Sequence, residues 1–257
     1  MGNVSPIRDT RPRIPAAKNA IGDELLYWLF GRWSLWGSFH RVWLQQLGPL
    51  PQPDRGPYLF YLNHSAWWDG YLMMVTHRLA LQRRFDSYLM MEERQLKAFR
   101  FFTWCGAFSI DRRDPEDSAN AITYAANLLR DRPDRSLYIF PQGKIVPNDR
   151  RPLTLYPGAA RIVREVSDLT LCPIAFRYEF LGQQWPHAFI RIGPAHRPAD
   201  PCDVEATNAE MTERLTASCD GLRDDVLAGR LDQFRPLLKG QLGIDQSFAA
   251  FLKLIGR

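Results

Sequence analysis

The chain has 257 residues, of which 46% are hydrophobic, 24% charged and 12% aromatic, with a net charge of +5. These proportions exclude a disordered, collagen-like or coiled-coil chain and suit one large domain with at most a small appendage. Four cysteines (105, 172, 202 and 219) stand far apart without a CxxC pair, so neither a disulfide framework nor a zinc site is expected, and a reducing compartment fits better. The positive charge is almost all arginine, 28 Arg against five Lys. That bias matches anionic partners and equally the codon usage of a GC-rich genome.

In chain order, residues 1–20 read as a flexible basic arm carrying Arg8, Arg11 and Arg13, with no apolar core of the kind a secretory signal needs. Residues 21–50 form the next unit. From 24 to 47, Leu26, Leu29, Trp33, Trp36, Trp43 and Leu47 recur at helical spacing, which predicts an amphipathic helix. Four of the eight Trp residues (28, 33, 36 and 43) fall here. Indoles favour the membrane–water boundary, so this helix is expected to touch a bilayer, although the same stripe would suit a helix packed on the domain's own core. Gly31 and Gly37 weaken it. No transmembrane helix is expected, because the longest stretch free of Asp, Glu, Lys and Arg is thirteen residues, 56–68.

A turn-rich boundary, PQPDRGP at 51–57, opens the main unit, 51–257. Strands are predicted at 58–62, 87–91, 107–110, 137–140, 171–176 and 189–192, and helices at 67–81, 92–102, 115–130 and 157–166. Asp114 before Pro115 is a strong helix start. This alternation predicts an α/β fold with a mixed, largely parallel sheet flanked by helices. Residues 204–256 read as helical, and 248–255 as a second candidate membrane contact.

Chemistry concentrates after the first strand, in Asn63-His64-Ser65-Ala66-Trp67-Trp68-Asp69. Ligands of open α/β sheets sit at the carboxyl ends of strands, and a His oriented by a carboxylate is a general base suited to neutral pH. His64 and Asp69 can meet only if His64 lies in the loop and Asp69 in the first turn of the helix. Ser65 is too close in sequence to His64 to be its nucleophile partner.

Three further segments follow in order: Gly106-Ala107-Phe108-Ser109-Ile110-Asp111-Arg112, then Phe140-Pro141-Gln142-Gly143, then Leu171-Cys172-Pro173-Ile174-Ala175. With Asn63-His64 and Asp69 they resemble the four blocks of the glycerolipid acyltransferase family, whose best-known members acylate lysophosphatidic acid. The intervals fit, 42 residues from His64 to Gly106 and 34 from there to Phe140, as does Pro157-Gly158-Ala159-Ala160 downstream. The resemblance spans about half the chain.

It implies an O-acyltransferase of bacterial phospholipid biosynthesis bearing the HxxxxD motif, with His64 and Asp69 catalytic and Asn63, Asp111, Arg112, Gln142, Gly143 and Lys144 binding substrate. His64 would deprotonate an acceptor hydroxyl, which attacks acyl-CoA or acyl-carrier protein. Either donor is a co-substrate, and no cofactor or metal is required. Gly143 is a candidate to lend its N–H to the oxyanion.

The third block departs from the family's Phe-Pro-Glu-Gly-Thr-Arg, having Gln142 for Glu and Lys144-Ile145 for Thr-Arg. Phosphate recognition would then pass to Lys144 with Arg112, Arg113, Arg150 or Arg151, or else the acceptor is a sugar-bearing or other hydroxylated lipid. A lysophospholipid leads. A hydrolase using His64 to activate water and a non-catalytic lipid-binding relative also remain open. Nucleic acid is not an expected partner, since the Arg residues are scattered. The expected location is peripheral, on the cytoplasmic side of a membrane.

Overall fold

The computed structural model describes residues 11–199, 202–244 and 248. Eight strands form one sheet: β1 (Arg41–Gln46), β2 (Tyr58–Leu62), β3 (Asp86–Glu92), β4 (Ala107–Ile110), β5 (Arg135–Ile139), β6 (Thr170–Glu179), β7 (His187–Ile192) and β8 (Arg235–Lys239), in the order β4-β3-β5-β2-β6-β7-β1-β8. The first five in that order pair parallel throughout, β7 runs antiparallel to β6, β1 parallel to β7, and β8 antiparallel to β1. The mixed, largely parallel sheet is as expected.

Strand β2 shows why the sheet is central. All five of its residues are buried. Leu59 and Tyr61 enter the core shared with the helices α5 (Pro115–Leu129), α6 (Gly158–Glu165) and α7 (Val204–Leu227). Tyr58, Phe60 and Leu62 enter the opposite core, shared with α3 (Asp69–Val75) and the N-terminal helical segment. Both faces of a parallel strand are covered, so its residues are uniformly apolar although its side chains alternate. The short α4 (Glu93–Ala98) follows β3.

The expected N-terminal helix is shorter than its pattern. Helix α1 (Ala20–Leu26), capped by the Asn19 side chain, passes through a π-helical stretch, Tyr27–Ser34, into α2 (Leu35–Ser38). There it stops, because Phe39 turns extended (φ −128°, ψ 151°). Residues 41–46, expected to continue the helix, are instead strand β1, fixed between β7 and β8, with Trp43 buried and opposite Phe189. Six-residue strands buried on both faces lack the period-2 signature, and the spacings of 36, 43 and 47 matched a helix by coincidence. The 21–50 unit is therefore divided between a helical segment and the main sheet.

The helical segment has two faces. Leu26, Tyr27, Gly31 and Leu35 are buried, while Ile21, Leu25, Trp28, Leu29, Trp33 and Trp36 are exposed. The outward stripe therefore excludes Leu26 and Trp43 and includes Ile21, Leu25 and Trp28.

Residues 11–19 of the expected flexible arm are bonded along the edge of the sheet. Ile14 exchanges hydrogen bonds with Ser109 of β4, through its N–H to Oγ and its carbonyl from the Ser109 N–H, both 2.9 Å. Arg13 is ion-paired to Glu93 and Asp114. This strap covers an edge strand that would otherwise offer open pairing groups. Residues 1–10, the rest of that arm, lie outside the described residues. At the other end, the expected helix over 204–256 ends at Leu227, and β8 follows with Pro236 at a register shift opposite β1, a place where an edge strand tolerates proline. Apart from Phe248, the candidate contact at 248–255 also lies outside the described residues.

Candidate functional site

The carboxyl ends of β2, β3, β4 and β5 converge, and with them the first three sequence blocks. Asn63, directly after β2, is buried and pins the loop to β6: its Nδ2 donates to the Phe176 carbonyl (3.0 Å) and its Oδ1 accepts from the Phe176 N–H (2.7 Å). The next residue, His64, therefore starts from a fixed backbone. Asp69 opens α3 and turns its carboxylate back on the loop. Its Oδ2 accepts from the N–H groups of Ser65 (2.6 Å) and Ala66 (2.9 Å) and from His64 Nδ1 (2.7 Å). The spacing of five thus closes through a loop and a first helical turn. Asp69 is fully buried, and its Oδ1 is taken by the hydroxyl of Tyr178 at 2.6 Å. A buried carboxylate is tolerable because both of its oxygens are answered by donors, three on Oδ2 and one on Oδ1.

The third block holds the histidine from the other side. Buried Gln142 accepts the His64 N–H on Oε1 (2.7 Å), Val146 donates its N–H to the His64 carbonyl (2.8 Å), and the imidazole lies 4.7 Å from the Phe140 ring. Gln142 acts here as a neutral acceptor toward the backbone. Gly143 adopts φ +63°, and a Cβ there would come within 2.1 Å of the Arg112 guanidinium. Arg112 donates to the Gly143 carbonyl (2.7 Å) and to Glu92 (3.1 Å), and lies over the Tyr156 ring at 4.7 Å. The Gly143 N–H donates to the Phe140 carbonyl (2.9 Å), so it is engaged in its own turn.

His64 borders a cavity of about 840 Å³, a size typical of ligand pockets. Its walls are mostly apolar, with Phe30, Met74, Leu89, Ile122 and Ile139 among the lining residues. Three cations also line it, Arg112, Lys144 and Arg161. Exposed Trp67, Phe99 and Tyr156 stand at its rim.

Four of the eight expected site residues therefore line the cavity: His64, Arg112, Gly143 and Lys144. Asn63, Asp69 and Gln142 stand behind His64 and hold it. Asp111 is turned away. Its carboxylate takes the Arg113 N–H (3.0 Å), which with Arg113 and Arg13 nearby holds it below the usual range, and it does not line the cavity. Arg151 is committed to Asp220 (2.6 Å) and Arg150 is exposed away from the lining. Ser65 Oγ has no hydrogen-bond partner, so no base activates it. Tyr178 and Arg161 were not singled out from sequence: Tyr178 is 109 residues from Asp69, and Arg161 looked like an ordinary polar position of α6. Among the described residues no group of three or more His, Cys, Asp or Glu is placed to hold a metal ion.

With Nδ1–H given to Asp69, His64 keeps its lone pair on Nε2. The site thus offers an oriented base beside an apolar cavity with cations on its wall. That set can remove a proton from a hydroxyl or water held next to an acyl chain.

A family model described as Acyltransferase matches residues 44–177, more than half of the chain. A 1-acyl-sn-glycerol-3-phosphate acyltransferase of Streptococcus pneumoniae is 30% identical over 169 residues, covering 62% of this chain and 57% of that protein. The chain thus matches a little over half the length of that curated relative.

Proposed function

Because this chain belongs to the glycerolipid acyltransferase family, we propose that it transfers a fatty acyl group from an acyl thioester, acyl-CoA or acyl-carrier protein, to a hydroxyl of a lysophospholipid such as lysophosphatidate. The observation that carries this reading is the 2.7 Å bond between His64 Nδ1 and Asp69 at the wall of the apolar cavity. Asp69 fixes the tautomer, so Nε2 takes the proton of the acceptor hydroxyl as its oxygen attacks the thioester carbonyl. The tetrahedral oxyanion then collapses, the C–S bond breaks, and the imidazolium returns its proton to the leaving thiolate. No atom of the protein is bonded covalently to the acyl group.

Arg112, Lys144 and Arg161 supply the positive wall for the acceptor phosphate. Arg112 brings a guanidinium set over Tyr156 by its bonds to Glu92 and the Gly143 carbonyl, whereas Lys144 offers a point charge. The 1-acyl-sn-glycerol-3-phosphate in the relative's name is an acceptor with this phosphate.

The protein works at a bilayer's cytoplasmic face, where acyl donors are made. Supporting this are the outward indoles of Trp28, Trp33 and Trp36 and the rim position of Trp67. No helix of the described residues is long and apolar enough to cross a membrane, so attachment would be lateral.

The test is acyl transfer by purified protein to lysophosphatidate, to a phosphate-free lysolipid and to water. Lysophosphatidate should be the preferred acceptor, and His64→Ala should lower the rate at least about 100-fold, the lower range for a general base. Full activity of that variant overturns the mechanism, equal use of the phosphate-free acceptor overturns the acceptor, and thioester hydrolysis alone overturns transfer.

A further inference from the structure

We propose that Tyr178 is a positioning residue for the transfer reaction, setting the basicity of the His64–Asp69 pair through the outer oxygen of the carboxylate. This rests on the proposed role of His64 as base.

Its placement follows from the sheet. Strand β6 is pinned to the site loop by the two hydrogen bonds between Asn63 and Phe176. Side chains two apart on a strand share a face, so fixing Phe176 also fixes the direction of Tyr178. The phenol then donates to Asp69 Oδ1 at 2.6 Å, while the three loop donors all converge on Oδ2. Tyr178 is therefore the donor to Oδ1, and without it that oxygen of a fully buried carboxylate would be unanswered. The ring is locked in turn by Phe39, at 5.6 Å, and Phe39 packs edge-on against Trp68, the residue before Asp69. Burial and the adjacent Asp69 charge push the phenol far above its ordinary pKa, so it stays a donor throughout the working range.

A donor on Oδ1 withdraws negative charge from the carboxylate and limits how strongly it stabilises the imidazolium. Removing it has two consequences. The carboxylate gains freedom to rotate, so fewer molecules present Nε2 correctly. The remaining charge also holds a proton on His64 more tightly, so the base is blocked up to a higher pH.

The experiment is the pH dependence of kcat and kcat/KM for wild type and Tyr178→Phe, each rate referred to the folded fraction. We expect kcat to fall about 10-fold with KM for both substrates within about 2-fold, and the acid limb of kcat/KM to move up by about half a pH unit. A merely structural tyrosine would lower the folded fraction and leave the acid limb where it is. That result, or a wild-type profile, overturns the proposal. If Tyr178→Phe does not fold, 3-fluorotyrosine at 178, a stronger donor of nearly the same shape, should move the acid limb down, and an unmoved limb overturns it. His64→Ala separates the two readings: if it remains active, the base assignment itself has failed, whereas an inactive His64→Ala beside a silent Tyr178→Phe refutes only the role of Tyr178.

Discussion

The two halves of the sheet both bury polar groups, yet only one makes a site. On the parallel half, Asp69 gathers four donors and one of them, His64, borders a cavity. On the other half, buried Arg191 donates to Gln45 (2.6 Å), Asp225 and the Gly221 carbonyl (2.9 Å), and Gln45 donates to Asp225 (2.9 Å), clamping β1 and β7 to α7. Beside that clamp, Trp43 Nε1 donates to His187 Nδ1 (2.9 Å) and the His40 and His187 rings lie 4.9 Å apart. None of these residues lines the cavity. Buried polarity alone therefore says nothing about chemistry. A site needs a network whose last member meets the space where a substrate fits.

Acid breaks this comparison hardest. Burial, aided by His40 and Arg41, pushes His187 down to about 4, and burial also pushes His196 to about 4 and His77 to about 3. Their unfolded values lie near 6.5, so the unfolded chain takes up protons first. The stability they contribute is complete above pH 6.5 and is lost as pH falls toward about 4. Each unbalanced proton weakens the fold by about 1.4 kcal/mol per pH unit. Denaturant unfolding should show the fall already between pH 6.5 and 5, before carboxylates titrate. Constant stability across that interval would show that these imidazoles are not buried neutral.

Smaller in effect is Asp225→Ala, which strands the Arg191 guanidinium. Loss of about 3–5 kcal/mol is expected, read by urea unfolding at pH 7.5, with kcat/KM per folded molecule unchanged because the clamp is remote from the cavity. A large change in kcat/KM with normal stability would erase the distinction between the two networks.

The smallest effect on folding belongs to the outward indoles. Replacing Trp28, Trp33 and Trp36 together by Gln should alter stability little, since they are exposed. Co-sedimentation with anionic liposomes should drop about 10-fold or more. Undiminished pelleting would reject the bilayer role. Deleting residues 1–47 could not answer this, because it removes β1 from between β7 and β8.

Much of the parallel half was legible beforehand. Its strands are short apolar runs bounded by turn residues, and the His64–Asp69 pair sits in one seven-residue segment whose folding is local. Helix α5 was equally plain, since Asp114 caps it on the N–H groups of Glu116 and Asp117 as the sequence implies. On the other half, β6 and β7 were expected as strands, but β1 and β8 were misread for a physical reason: each owes its conformation to a partner more than a hundred residues away in the chain, β1 to β7 downstream and β8 to β1 upstream.

What the sequence alone determined is therefore local or short-ranged: the apolar strand β2, the turn that follows it, and the acid that closes on the histidine. Only the tertiary structure decided that residues 41–46 extend, that Asp111 faces the strap and not the cavity, and that Tyr178 reaches Asp69. Each of these depends on which distant strand lies alongside. Hydrogen bonding between strands and burial of both sheet faces outweigh a helical stripe of apolar residues, and neither force is written in the neighbouring residues of the chain.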